Sequence, residues 1–334
     1  MTTPTLPAVH TDQPATSEIA PDQSRIAEFN QSGTLDVIKQ FLLRQFVKKE
    51  IRENERQHVL TDVSIIDLQT NKTILGHNED TPHFAASVNK LPVTLLVLEE
   101  LRAGRVSLDT MLTWQPSDRR AGNGLLDTPN SPLQATLRDV LHDLLNRSGN
   151  TAVRVAVNKV LGGNAAVNAR LAQIAEIPHT RLIPVDADRF YLGDTTSKEA
   201  LFVLRKVLET QDTYGAYVKQ LMATNIFESD GVRSQLAGND YITLVNKTGQ
   251  LYDPDGNNWH DVGIVYNTKT SKAYGYSMLT TAPGDNESAT LRGEQSLKDM
   301  GKYILRFAGD APTQQMQTNQ AKQHPAKSET KVLY

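Results

Sequence analysis

The chain contains no cysteine in its 334 residues. This excludes disulfides, thiolate zinc sites, iron–sulfur clusters and a cysteine nucleophile, and leaves the redox compartment open. Any covalent nucleophile is therefore Ser, Thr, Lys or a carboxylate. An excess of charge of one sign is also missing: 35 Lys and Arg stand against 38 Asp and Glu, a formal net charge of −3. No basic run is long enough to serve as a nucleic-acid arm, so no nucleic-acid partner is expected. Long hydrophobic runs are absent too. The longest, Leu91 to Leu98, is interrupted at Thr94 and stopped by Glu99 and Glu100, far short of the roughly 20 residues that cross a bilayer. The first 24 residues hold no Lys or Arg and no apolar core segment, so they do not read as a secretory signal and no export route is visible. The eight histidines show no H-x-x-x-H spacing, and there is no glycine-rich phosphate loop. Neither a metal nor a cofactor is expected.

What is present is enough for a sizeable core: 39% hydrophobic and 22% charged residues fit one large domain or two lobes. Residues 1–24, with four prolines and five threonines, and residues 311–334, rich in Gln, Lys and Thr, are too polar to offset their ordering entropy and are expected to be disordered. The domain is placed at 25–310. Within it, Leu35 to Arg52 carries apolar residues at helical spacing, and VSIIDLQTNKTILGHNED reads as two strands around a turn at Thr70 to Lys72. Helices are expected over Ser87 to Ala103, Leu137 to Asn146, Thr151 to Val160, Asn164 to Ile174, Lys198 to Glu209 and Glu294 to Phe307. TLVNKTG, VGIVYN and AYGYSMLTT read as three strands. Strands at both ends with helices between predict an α+β fold, one antiparallel sheet built from both chain ends, flanked by helices, beside an all-helical lobe.

Three runs carry chemistry. In FAASVNKLPV, Ser87 and Lys90 are three apart and share a helix face, so the lysine amine can lie beside the serine hydroxyl. A serine is a weak nucleophile until a base takes its proton, and a lysine held neutral can do that. In LLNRSGNTAVRVAV, Ser148 and Asn150 flank Gly149 between two helical patterns, a turn that can aim a hydroxyl and a carboxamide into one cleft. In TLVNKTGQLYD, Lys247, Thr248 and Gly249 end a strand whose edge can meet an extended acyl substrate. Each run alone reads first as an ordinary cap, turn or strand end; it is the three together that point to chemistry.

The runs occur in the order S-x-x-K, S-x-N, K-T-G, 61 and 99 residues apart. That order, spacing and context resembles the class A β-lactamases and the penicillin-binding proteins, from the hairpin near Val63 to the helix near Phe307. The resemblance implies a β-lactamase/transpeptidase-like fold. It makes Ser87 the acylated nucleophile and Lys90 its activating partner, with Lys247 nearby to disfavour a second positive charge on Lys90. It also implies that Ser148 relays a proton to the leaving nitrogen, that Asn150 holds the substrate amide, and that Lys247 and Thr248 bind the substrate carboxylate. The backbone N–H groups of Ser87 and of Gln250, which follows Gly249, form the implied oxyanion hole. The implied partner is a β-lactam or a peptidoglycan-derived acyl compound, met outside the cytoplasm, and a monomer is expected.

Three departures stand against the family pattern. Gly149 replaces the aspartate usual in the middle motif, so the turn is expected to be looser. Pro92 lacks the N–H that would bond the Val88 carbonyl, and is expected to perturb the second turn of its helix lightly. HTRLIPVDADRFYLGDTT matches the Ω-loop, but places Asp186 where class A enzymes carry the glutamate that activates the deacylating water. An aspartate is one methylene shorter, and a misplacement near 1 Å can cost about 100-fold in rate, so slow deacylation is expected. Asp188 reads as a solvated loop carboxylate, Arg233 as a brace of the fold and His83 as a loop residue. The leading expectation is a serine hydrolase of class A β-lactamase type. A D,D-peptidase, an esterase and a non-catalytic binding homologue stay open.

Overall fold

The structure, a computed structural model, describes residues 23–183, 193–209, 212–252, 256–284 and 286–309, with side chains from Asp36 onward. The chain divides into two compact units, one ending at Phe41 and one beginning at Leu42. The first contributes the N-terminal turns of helix α1 (Gln23–Arg56).

The second unit continues with strands β1 (Leu60–Asp67), β2 (Lys72–His77) and β3 (His83–Phe84). A single 3-10 turn, Ala86–Asn89, leads into α2 (Lys90–Arg102). The lobe that follows comprises β4 (Met111–Thr113), β5 (Gln134–Thr136), α3 (Leu137–Asn146), α4 (Asn150–Val155) and α5 (Asn164–Leu171). The chain returns through β6 (Arg181–Leu182), β7 (Gly193–Thr195), α6 (Ser197–Leu208) and α7 (Thr213–Ala223). It closes with β8 (Ile242–Leu251), β9 (Asn257–Asn267), β10 (Lys272–Ala282) and α8 (Glu287–Ala308).

The main sheet has the order β2-β1-β10-β9-β8. All its pairings are antiparallel, and β1, near the start of the chain, pairs with β10, near its end, from Leu60↔Thr281 to Asp67↔Tyr274. The expected α+β architecture is thus the observed one, except that the lobe expected to be all-helical also carries the short antiparallel pair β4–β5. One apolar cluster joins the sheet to α1 and α8 through Val47, Ile51, Val63, Tyr276, Met300 and Ile304. A second joins α2 to the helical lobe through Leu91, Leu98, Leu141, Val153 and Val203.

Helix α2 is the axis of this second core. Eleven of its thirteen residues are buried, as its apolar run LPVTLLVL requires, because a helix apolar all round has no face to offer to water. It begins at Lys90 rather than Ser87, so Pro92 falls in its first turn. A missing N–H there has no intrahelical partner to lose, and the expected perturbation does not arise. Helix α3 spans the expected residues because Thr136 and Asp139 form a reciprocal cap at its start. Helix α7 was not anticipated; Asp212 caps it through the Gly215 N–H.

His260 on β9 pins the strand that precedes the nucleophile turn. Its Nε2 donates to the Phe84 carbonyl at 2.7 Å, and its Nδ1 accepts the Thr280 N–H at 3.2 Å, so the neutral ring is fully used. Burial, aided by the nearby His83, pushes its pKa down to about 3. Below the free-histidine value of 6.5 the unfolded chain takes up a proton that the folded ring refuses, so stability falls as pH drops from 6.5 towards 3. Asp261, which burial raises to about 6, acts with the opposite sign in the range above the free-carboxyl value. We therefore expect wild type to lose up to about 1.4 kcal/mol per pH unit more than His260→Gln between pH 6.5 and 4. Urea unfolding across that range checks this, and parallel pH curves would contradict it.

Candidate active site

Ser87 is half-buried in the 3-10 turn between β3 and α2. The preceding Ala86 has φ +43°, a left-handed conformation that costs of order 1 kcal/mol or more for a residue with a side chain. The surroundings hold it there: the Ala85 N–H donates to the Gly193 carbonyl at 2.7 Å and Asn89 Nδ2 to the Arg181 carbonyl at 3.1 Å. Strand β8 approaches closely from the other side. A Cβ on Gly249 would lie 3.2 Å from the Val88 nitrogen and 3.3 Å from the Ala85 carbonyl oxygen, so glycine is what lets Gln250 sit beside the nucleophile turn.

Lys90 is the centre of the site. It is 1% exposed, and its Nζ lies 2.8 Å from Ser87 Oγ, 3.0 Å from Ser148 Oγ, 2.6 Å from the Ser148 carbonyl and 2.9 Å from Asn150 Oδ1. Ser148, at φ +58°, presents both its carbonyl and its hydroxyl to the same amine. Lys247, also 1% exposed, reaches the same hydroxyl at 2.9 Å and the Thr248 carbonyl at 2.6 Å. Ser87 Oγ, Lys90 Nζ, Ser148 Oγ and Lys247 Nζ thus form an unbroken line with steps of 2.8, 3.0 and 2.9 Å.

Burial sets the charge of this line. It lowers Lys90 to about 7, against the pull of the Asp127 and Asp143 carboxylates. It lowers Lys247 as well, and the charge of Lys90 adds to the effect. Two ammonium groups on one buried hydroxyl repel, so a charge on either amine makes protonation of the other harder. Lysine deprotonation here follows from burial first and from like charge second. Chemically, a neutral Lys90 can accept the Ser87 proton, and Ser148 can give a proton and be resupplied from either amine.

The Ser148–Asn150 turn is tight, contrary to the looseness expected from Gly149. Asp127 accepts the Asn150 and Thr151 N–H groups at 3.1 and 2.8 Å, and Asn150 Nδ2 donates to the Ala121 carbonyl at 2.7 Å. The structure therefore brings together Ser87, Lys90, Ser148, Asn150, Lys247, Thr248, Gly249 and Gln250. Asp186 and Asp188 lie outside the described residues; the flanking β6 and β7 pair with each other, and β7 with β3. His83 lies in strand β3 rather than a loop, its ring between Asp62 Oδ2 at 2.9 Å and Thr281 Oγ1 at 2.5 Å. Among the described residues no cluster of three or more His, Asp or Glu gathers as metal ligands, and no helix is long and apolar enough to cross a membrane. Four carboxylates near the site are marked by no sequence motif: Asp127, Asp143, Asp230, which accepts from Gln250 Nε2 at 2.7 Å, and Asp261, which accepts from Asn246 Nδ2 at 2.9 Å.

A profile of the Beta-lactamase enzyme family matches residues 43–307, which contain every residue of this constellation. The chain belongs to that family. No curated protein matches it, but solved structures do. A β-lactamase from Sphaerobacter thermophilus superposes with a TM-score of 0.66 at 20% identity, covering 80% of this chain and 98% of that one. A β-lactamase from Burkholderia vietnamiensis gives 0.67 at 19%, covering 81% and 97%. A variant of PBP-A, solved as its acyl-enzyme complex with penicillin G, gives 0.66 at 20%, covering 79% and 96%. The fold of this β-lactamase family member is the β-lactamase/transpeptidase-like one.

Arg233 braces the family fold. Its guanidinium donates to the Met222, Ala223 and Leu244 carbonyls and to Asn246 Oδ1, at 2.7 to 3.3 Å, tying α7 to β8 just before Lys247. Removing it strands these buried acceptors, so Arg233→Ala is expected to cost about 3 kcal/mol of unfolding free energy. Arg233→Lys, a point donor without the planar fork, recovers less than half of that loss. Chemical denaturation checks both; a loss under about 0.5 kcal/mol, the range of a surface change, would contradict the bracing role.

Proposed function

We propose that this member of the family is a serine hydrolase that forms an acyl-enzyme at Ser87, acting on β-lactams as a class A-like β-lactamase. The single observation that carries the reading is the line from Ser87 through Lys90 and Ser148 to Lys247, built on buried amines. Neutral Lys90 takes the proton of Ser87 as Oγ attacks the carbonyl carbon of the β-lactam amide. The oxyanion is held by the N–H groups of Ser87 and Gln250. As the C–N bond breaks, the nitrogen takes a proton from Ser148, which regains one from Lys90. Protons balance, and the product is a Ser87 ester. Lys247 and Thr248 receive the substrate carboxylate, beside Gly249 on the same strand, and Asn150 receives the amide. A carboxylate next to Lys247 favours a proton on that amine, and the charge there disfavours one on Lys90, which leaves Lys90 free to act as base. A water hydrolyses the ester, with Asp186 as the group that activates it.

A second reading is a penicillin-binding D,D-peptidase with slow deacylation. The match to PBP-A is as good as the match to the β-lactamases, and Asp186 is one methylene shorter than the glutamate usual at its position.

Intact mass followed over time after addition of a penicillin and a cephalosporin tests the proposal. The expected result is an adduct that forms on wild type and decays to free enzyme and hydrolysed drug, with Ser87→Ala slower by at least about 10⁴-fold. A persistent adduct supports the second reading. Turnover retained in Ser87→Ala, or no adduct and no drug loss on wild type, overturns the acyl-serine mechanism.

A further inference from the structure

Asp143 is a carboxylate with no evident reason to be buried. It is 2% exposed, it lies on the inner face of α3, and burial raises its pKa despite two backbone donors. No ion pair among the described residues includes it. Its Oδ1 accepts the Leu125 N–H at 2.6 Å and its Oδ2 the Leu126 N–H at 3.3 Å. Its own carbonyl accepts the Gly149 N–H at 2.9 Å. The decisive observation is its fit to glycine: a Cβ built on Gly149 would lie 2.3 Å from Asp143 Oδ2, and one on Gly124 2.4 Å from the same atom. The carboxylate fills the space that a side chain at position 149 would need. Gly149 has φ −57° and ψ 130°, which any residue adopts, so backbone conformation is not what selects glycine there.

We propose that Asp143 is a positioning residue that braces the Ser148–Asn150 turn from α3, doing from across the gap what a carboxylate on residue 149 itself would do. The proposal rests on the acyl-serine reading of the site and extends it. The connection to the reacting groups is continuous. Asp143 holds the Leu125 and Leu126 amides, and Asp127, in the same loop, holds the amides of Gly124, Asn150 and Thr151. The Ala121 carbonyl of that loop holds Asn150 Nδ2, and Asn150 Oδ1 meets Lys90. An acceptor-only group suits a place where two backbone donors converge and no proton is offered back. The charge has a second effect: with Asp127 it opposes the lowering of Lys90, while Arg147 is the cation that acts on Asp143 itself.

The test is a carboxylate swap. Asp143→Ala is expected to slow acylation by penicillin roughly 100-fold, the scale of a 1 Å misplacement, and to move the acidic limb of the acylation pH profile to lower pH. Gly149→Asp alone, which sets two carboxylates against each other, is expected to be impaired as well. The double variant Asp143→Ala/Gly149→Asp, with the carboxylate restored from the other side, is expected to recover at least tenfold over Asp143→Ala. Unchanged acylation and an unchanged pH limb in Asp143→Ala, or a double variant no better than the worse single, overturns the proposal. Asp143→Asn keeps the shape and removes the charge, and serves if Asp143→Ala does not fold; an unmoved pH limb there counts equally against it. If wild type forms no adduct, the acyl-serine reading fails separately, and the brace is read from amide hydrogen exchange at Leu125, Leu126, Asn150 and Thr151. Exchange accelerated in Asp143→Ala and slowed again in the double variant supports it; unchanged exchange overturns it.

Discussion

A lysine amine held in a dry pocket among four oxygen acceptors is the feature on which the rest of this molecule depends. Burying an ammonium is costly, and the cost appears as a lowered proton affinity of the amine. Helix α2 meets that cost with its apolar length: Leu91, Val93, Leu96, Val97 and Leu98 are at most 1% exposed, and this fixes the position of Lys90 at the helix start. Ser148 and Asn150 come from the lobe, Lys247 from the edge strand β8, and Ser87 from the turn before α2. Each of these elements has its own core contacts, so the amine is surrounded by groups that cannot relax away from it.

The second constraint is backbone geometry. Ala86 and Ser148 both sit at positive φ, one beside the nucleophile and the other on the hydroxyl that joins the two lysines. The hydrogen bonds around them, from Ala85 to Gly193 and from Gly149 to the Asp143 carbonyl, are what keep those conformations populated. Strain sits where reacting groups must be aimed, and ordinary helix and sheet pairing elsewhere supports it.

Much of this was legible in the sequence. The sheet assembled from both chain ends followed from strand patterns before Asp67 and after Ile242, and α3 was readable to its boundaries because Thr136 and Asp139 cap it and its apolar face repeats at helical spacing. The constellation of Ser87, Lys90, Ser148, Asn150, Lys247, Thr248, Gly249 and Gln250 was readable as motifs in order. Less legible was whatever depends on contacts between distant residues. The start of α2 at Lys90, which renders Pro92 harmless, is decided by the approach of β8 and β7 to the preceding turn. Asp127 and Asp143 are not legible as site residues because each looks like an ordinary polar residue locally. For Asp143 a signal did exist, since it falls three residues after buried Val140, on the face of α3 where an apolar residue is expected. Helix α7, with Gly215 and four residues of low helix propensity in TYGAYV, is sustained by packing of Val218 and Met222 rather than by its own preference.

Activation of Ser87 requires the Lys90 amine to be partly deprotonated near neutral pH, and titration of that amine in the folded protein tests this most directly. With lysine labelled at Nζ and Cε, and Lys90→Met used to assign the resonance, the NMR shift of Lys90 followed from pH 5 to 11 is expected to move with a midpoint near 7. A midpoint near the free-lysine value of about 10.4 would mean that the amine stays charged at neutral pH and that Lys90 does not take the Ser87 proton.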